Sequence, residues 1–122
     1  MLRLALILLP LHVPVAAFAT GPSDPGSAFA RCEGRLAANV EFGWLFGEHD
    51  QDADALRLTF SDLGQATGPA GSRARRDSRI RAKSDQARLL SDARFASDDR
   101  RRRIAAATAD AHLRRCRALV LG

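Results

Sequence analysis

The chain has no tyrosine, one tryptophan (Trp44), one lysine (Lys83) and two cysteines (Cys32 and Cys116). β-Branched residues are also scarce. Strands draw on β-branched and aromatic side chains, so this shortage argues against a sheet. Two cysteines without a Cys-x-x-Cys spacing exclude the usual dithiol redox centre. They also fall short of a structural zinc set, since only His49 and His112 follow residue 19 and neither stands at ligand spacing to a cysteine. No Gly-x-Ser-x-Gly, phosphate-binding loop or dinucleotide fingerprint occurs, which removes the motif-bearing hydrolases, nucleotidases and dehydrogenases. No internal repeat and no sustained heptad is present, so solenoids and coiled coils are excluded.

What is present is Ala, Leu, Arg and Asp, with Gly and Pro gathered at a few places. That composition favours helix. The 122 residues are enough for one domain, and 46% hydrophobic with 27% charged is ordinary for a globular one. The net charge is +5, and 18 of the 19 basic residues are arginine.

The first 19 residues read as a cleavable secretory signal. Met1-Leu2-Arg3 is a short positive start, Leu4 to Leu11 an apolar run, and Ala17-Phe18-Ala19 a small-x-small cleavage pattern. A membrane anchor is the competing reading. Pro10, His12 and Pro14 interrupt the apolar stretch, which is shorter than the roughly 20 residues a spanning helix needs. Cleavage after Ala19 leaves 103 residues and a charge of +4, because Arg3 is lost. Residues 20–26 hold two prolines and two glycines and read as a flexible lead-in. The domain is then 27–122.

Four helical segments follow. The first opens near Pro25 or Ser27 and ends at Gly47. Phe29, Cys32, Leu36, Val40 and Gly43/Trp44 fall on one face. Gly34 and Gly43 lie inside it; each costs about 1 kcal/mol relative to Ala, and close approach of a neighbouring helix is the expected return. The second is capped by Asp50 or Asp52 and runs to about Leu63, with Ala53, Leu56, Phe60 and Leu63 aligned. Gly68-Pro69-Ala70-Gly71-Ser72 is a linker. The third runs from Ser72 to about Phe95, with Ile80, Ser84, Ala87, Leu90 and Arg94 as its stripe and a basic first half. Ser97 caps the fourth, with Asp98 and Asp99 in its first turn. Its stripe is Ala105, Ala109, His112/Leu113, Cys116 and Leu119/Val120.

Cys32 and Cys116 therefore sit on the apolar faces of the first and last helices. In an exported chain they are expected to form one disulfide, with two buried free thiols as the alternative. The fold expected is all-α, a small three- to four-helix bundle stapled by that bond.

Candidate sites are few. Asp50-x-Asp52-x-Asp54 opens like an EF-hand calcium loop, but the sixth position is Ala55 instead of Gly and the twelfth is Ser61 instead of Glu. An acidic helix start accounts for it, and neither metal nor cofactor is expected. Glu33 and Glu41 share a helix face two turns apart; a solvated face explains them better than acid–base work. The segments Arg73 to Lys83 and Arg100 to Arg103 concentrate positive charge. Aspartates interleave with them and suit pairs such as Arg81–Asp85 and Arg88–Asp92. No aromatics alternate with these arginines, and export argues against nucleic acid; an envelope protein or an anionic surface fits the compartment.

The segments Cys32-Glu33-Gly34-Arg35-Leu36, Trp44-Leu45, Arg79-Ile80-Arg81-Ala82-Lys83 and Cys116 to Gly122 resemble small exported helical proteins of bacteria with a cysteine near each end. The resemblance implies fold and location only. The function expected is that of a non-enzymatic accessory or interaction protein of the cell envelope, periplasmic or secreted, without a stable transmembrane anchor. Its surface would combine Trp44 and Phe46 with Arg79, Arg81 and Lys83, since aromatics and arginines are enriched at interfaces. Burial of Trp44 in the core is the plainer expectation for that side chain. A small-molecule or metal carrier with a pocket between helices is the alternative.

Overall fold

The computed structural model describes residues 24–122. The signal reading of 1–19 and the start of the lead-in lie outside the described residues. Four helices make up the described chain: α1 (Pro25–Trp44), α2 (Gln51–Ala66), α3 (Ser72–Phe95) and α4 (Asp99–Leu121). No strand occurs among the described residues.

The helix starts follow local chemistry. Asp24 caps α1, its carboxylate accepting from the Gly26 and Ser27 amides, and Pro25 occupies the first turn where its missing N–H costs nothing. The lead-in thus ends earlier than 26, because Asp24-Pro25 is itself a helix start. Asp50 caps α2 through the Ala53 amide at 2.9 Å. The fourth helix is capped by Asp98, not Ser97; the Asp98 carboxylate accepts from the Arg100 amide. Gly64 does not end α2, which continues to Ala66. The basic half of α3 is helical from Ser72, behind Gly71 at φ 73°.

Short connections fix an up-down-up-down order. Gly26 faces Arg75, Gly34 faces Arg79, and Phe46 meets Arg94, so α1 and α3 run parallel. Cys32 joins Cys116 and Gln86 reaches Ala109, so α4 runs against both. In such a bundle α1 and α3 are diagonal, yet they form the most extensive contact, and α1 touches all three partners.

The reason lies in α1. Its buried residues alternate: Gly26, Ala30, Gly34 and Ala38 interleave with Cys32, Leu36 and Val40. A two-residue step turns a helix by about 200°, so these are opposite faces. The second face packs into the core with Ala53, Phe60, Leu113 and Cys116, while Phe29, Leu56, Leu63 and Val120 close its edges. The first, small-residue face admits α3. A Cβ on Gly34 would lie 2.2 Å from the Arg79 carbonyl oxygen. Gly43 serves a different approach: its would-be Cβ meets the Glu48 carbonyl at 3.0 Å, in the turn rather than on a neighbouring helix.

Cys32 and Cys116 are at disulfide distance, Sγ to Sγ 2.07 Å and Cα to Cα 5.5 Å, across 84 positions of sequence. Both are buried.

The stripe read for α3 fails. Ile80 is 56% exposed, and Ser84 and Ala87 face solvent. Ala82 and Gln86 are buried instead. Apolar periodicity cannot find this face, because α3 enters through a small side chain and an amide. The Gln86 Nε2 donates to the Ala109 carbonyl at 3.2 Å, and its Oε1 pairs with His112 Nδ1 at 3.1 Å. A buried amide satisfied in this way is tolerated.

Candidate functional site

Exposed aliphatic side chains are scattered over the surface (Leu58, Ile80, Ile104, Leu119 and Leu121), but the exposed aromatics, Trp44 and Phe95, stand with Leu45 where α1 and α3 end. The last turn of α1 gives way to Gly47 at φ 73°, and the Gly43 carbonyl accepts from both Phe46 and Glu48 amides, at 2.9 and 3.0 Å. This tight reversal carries Phe46 back towards α3. Its ring lies 5.1 Å from Phe42 and 6.1 Å from Phe95, and the Arg94 guanidinium sits 3.5 Å over its centroid. Trp44 leans on His49 at 6.4 Å.

Trp44 is 53% exposed, Phe95 63% and Leu45 75%. The core expectation for Trp44 is therefore wrong. Gly43 takes the position against the turn, and α2 starts only at Gln51, so no helix covers the indole. Four of the six aromatics in the described chain, Phe42, Trp44, Phe46 and Phe95, stand at this end. The core uses Phe60 and the edge of Phe29.

Beside the aromatic cluster a groove of about 400 Å³ runs between the lower ends of α1 and α3. Val40, Phe42, Leu90 and Ala93 give it apolar walls, and Glu48 and Arg94 supply opposite charges at its rim. It opens to solvent.

The basic residues expected to join this surface stand elsewhere. Lys83 is roughly 16 Å from Arg94 along α3, at 1.5 Å per residue. Its Nζ meets Glu41 Oε1 at 2.7 Å, and Arg79 pairs with Glu33 at 3.1 Å. Glu33 and Glu41 do share a face, and their task there is to hold α3. Arg81 is exposed. Sequence reasoning misses Arg94 and Phe95 as members of the aromatic end; the available signal is a phenylalanine at the last helical position, just before Ala96-Ser97.

The interleaved aspartates pair in a different register from that expected. Arg88 meets Asp85 at 3.4 Å, not Asp92, and Asp92 instead reaches across to Arg101 on α4 at 3.0 Å. Asp54 holds Arg57 at 2.8 Å, and Asp50 is committed to capping. Among the described residues no group of three or more His, Cys, Asp or Glu side chains converges as metal ligands would. None of the described helices is long and apolar enough to cross a membrane. No protein-family model, curated protein or solved structure matches this chain.

Proposed function

We propose that this is an exported, non-enzymatic interaction protein of the bacterial cell envelope, periplasmic or secreted, that engages a partner protein through its aromatic end. The observation that carries the reading is the placement of aromatics. The bundle leaves Trp44, Phe95 and Leu45 in solvent although its core, built on Leu36, Val40, Phe60 and Leu113 with alanines and the two cysteines, has few large side chains. Exposed aromatics grouped with an arginine are the usual composition of an interface centre. The leader-like first 19 residues and the paired cysteines support an oxidising compartment.

The groove beside Phe42 is open, which favours a partner's apolar side chain over an enclosed small molecule. A carrier of small ligands remains the second reading, resting on that groove alone.

The test is cross-linking in envelope extract with a photoreactive residue at Leu45, using the full chain. A single partner is expected, lost in a Trp44→Ser/Phe95→Ser variant of unchanged melting temperature. No partner, or equal capture by that variant, would overturn the reading. Mature protein beginning at Thr20 is the expected sign of export.

A further inference from the structure

Around Cys32 in the first half and middle of α1, about 18 Å from Trp44 at 1.5 Å per residue, a second surface has a different chemistry. Arg31 and Arg35 are one turn apart on α1, flanking Cys32. Arg115 precedes Cys116 on α4. Since the two cysteines hold their Cα atoms 5.5 Å apart, the three arginines converge at one helix crossing. They line a depression of about 260 Å³ with Ala28, Cys32 and Leu119.

Several other cations of the described residues are matched, while Arg73, Arg76, Arg81, Arg100, Arg103, Arg114 and Arg117 form no ion pair with a described residue either. What sets Arg31, Arg35 and Arg115 apart is that they line one depression together. Arg57, Arg79, Lys83, Arg88, Arg101 and Arg102 each meet a carboxylate. Arg75 donates to the Gly68 and Ala70 carbonyls, and Arg94 covers Phe46. Among the described residues no carboxylate forms an ion pair with Arg31, Arg35 or Arg115. Asp85 of α3 is the acid that faces them, and it is engaged by Arg88 at 3.4 Å. Burial, followed by the charges of Arg31 and Arg115, lowers the pKa of Arg35. Three like charges on a partly apolar floor repel each other unless something neutralises them.

We propose that Arg31, Arg35 and Arg115 form a binding site for a phosphate-class anion. Guanidinium forks from two helices, set by a covalent crossing, suit a tetrahedral oxyanion that accepts several paired hydrogen bonds. A carboxylate can bridge two guanidinium groups, but a phosphate offers a third or fourth oxygen and more negative charge to the three arginines. Free phosphate and a phospholipid head group present the same chemistry.

The full chain is titrated with inorganic phosphate and with pyrophosphate at constant ionic strength, following the arginine Nε–H signals by NMR. Vesicles of phosphatidylglycerol, with phosphatidylcholine as control, form the second arm. Selective shifts of the Arg31, Arg35 and Arg115 signals are expected, with affinity falling about tenfold or more in Arg35→Gln/Arg115→Gln. Arg100→Gln/Arg103→Gln removes the same charge elsewhere and should bind as the wild type does. Arg35→Lys/Arg115→Lys should fold and bind with intermediate strength, because it keeps charge but not the forks.

Binding of free phosphate alone identifies a soluble ligand, and flotation with phosphatidylglycerol a head group; either supports the site. No selective shift with any probe, or equal weakening by the two glutamine pairs, overturns it. Trp44→Ser/Phe95→Ser should leave this binding unchanged, so failure here is separate from failure of the aromatic interface.

Discussion

Replacing Gly34 by alanine tests whether α1 and α3 close on each other through backbone contact. The added Cβ would lie 2.2 Å from the Arg79 carbonyl oxygen and 3.1 Å from both the Arg79 carbonyl carbon and the Lys83 amide nitrogen. These are backbone atoms of a helix, so no rotamer change relieves them. To reach an ordinary carbon–oxygen contact of about 3.3 Å, the helices must part by about 1 Å locally, opening the largest interface of the bundle. Overpacking of this kind costs typically 1–3 kcal/mol, and a rigid neighbour places it at the upper end, about 3 kcal/mol. Alanine returns about 1 kcal/mol through helix propensity. The net expected loss is about 2 kcal/mol, a fall in Tm of roughly 8–16 °C for a domain of this size. The same substitution at Gly64 of α2 is the control, because a Cβ there meets nothing within 4 Å. It should stabilise by up to about 1 kcal/mol. Urea and thermal unfolding by far-UV circular dichroism, with the cysteines oxidised, compare the two. If Gly34→Ala matches or exceeds the wild type, α1 and α3 do not approach as described, and the small-residue face of α1 has no structural role.

Other expectations follow from single contacts. Cys32→Ser/Cys116→Ser releases a crosslink closing 84 positions of sequence, for which chain entropy alone gives at most about 4.6 kcal/mol; a loss of about 2–4 kcal/mol in urea unfolding is expected, and none would mean the thiols are not joined. Gln86→Leu strands the His112 Nδ1–H and should cost about 1–3 kcal/mol, visible as an earlier denaturation midpoint. His112 has its pKa lowered from 6.5, first by burial, then by Arg35 and Arg115, with Asp85 of α3 opposing. The native state therefore disfavours the imidazolium, so stability is whole above pH 6.5 and falls as pH drops through the lowered native value; His112→Gln should flatten that part of the stability–pH curve.

The starts of α2 and α3 and the apolar faces of α2 and α4 were legible because they rest on local rules, whereas the α4 cap fell one residue later than Ser97 and α1 began inside the expected lead-in. Asp50 before an acidic turn is a cap in any context, and Ala53, Leu56, Phe60 and Leu63 recur at helical spacing because α2 buries one face only. The cysteine pairing followed from the same logic, since Cys32 and Cys116 each continue an apolar stripe. Trp44 also continued a stripe and yet is exposed. Periodicity gives direction around a helix, not how far along it the neighbouring helix extends, and α2 starts too late to cover it. The arginines of the candidate surface were similarly assigned by composition, whereas their positions along α3 are set by which turn faces Glu33 and Glu41.

The α3 face was illegible for a physical reason that also explains the bundle. A helix that offers large apolar side chains announces itself by period; one that approaches through the absence of side chains does not. Gly26, Ala30, Gly34 and Ala38 form a four-residue repeat hidden inside the stronger Cys32-Leu36-Val40 stripe, and only a partner helix gives it meaning. Because α3 comes this close, it needs few large apolar residues of its own (Leu89 and Leu90 are half-buried), and much of its surface is free to be charged. Glu33 and Glu41 then pair with it from α1, while Asp92 ties it to Arg101 of α4. Exposed pairs of this kind contribute little to stability, about 0–1 kcal/mol each. The charges do not by themselves fix the register, because Arg75, Arg79 and Lys83 recur every four residues and a one-turn slide would set Arg75 against Glu33 and Arg79 against Glu41. The larger constraint is the backbone fit at Gly34, where the Arg79 carbonyl and the Lys83 amide fill the space that a side chain would take, so that closeness to a glycine is what lets α3 pack on α1 with few large side chains between them.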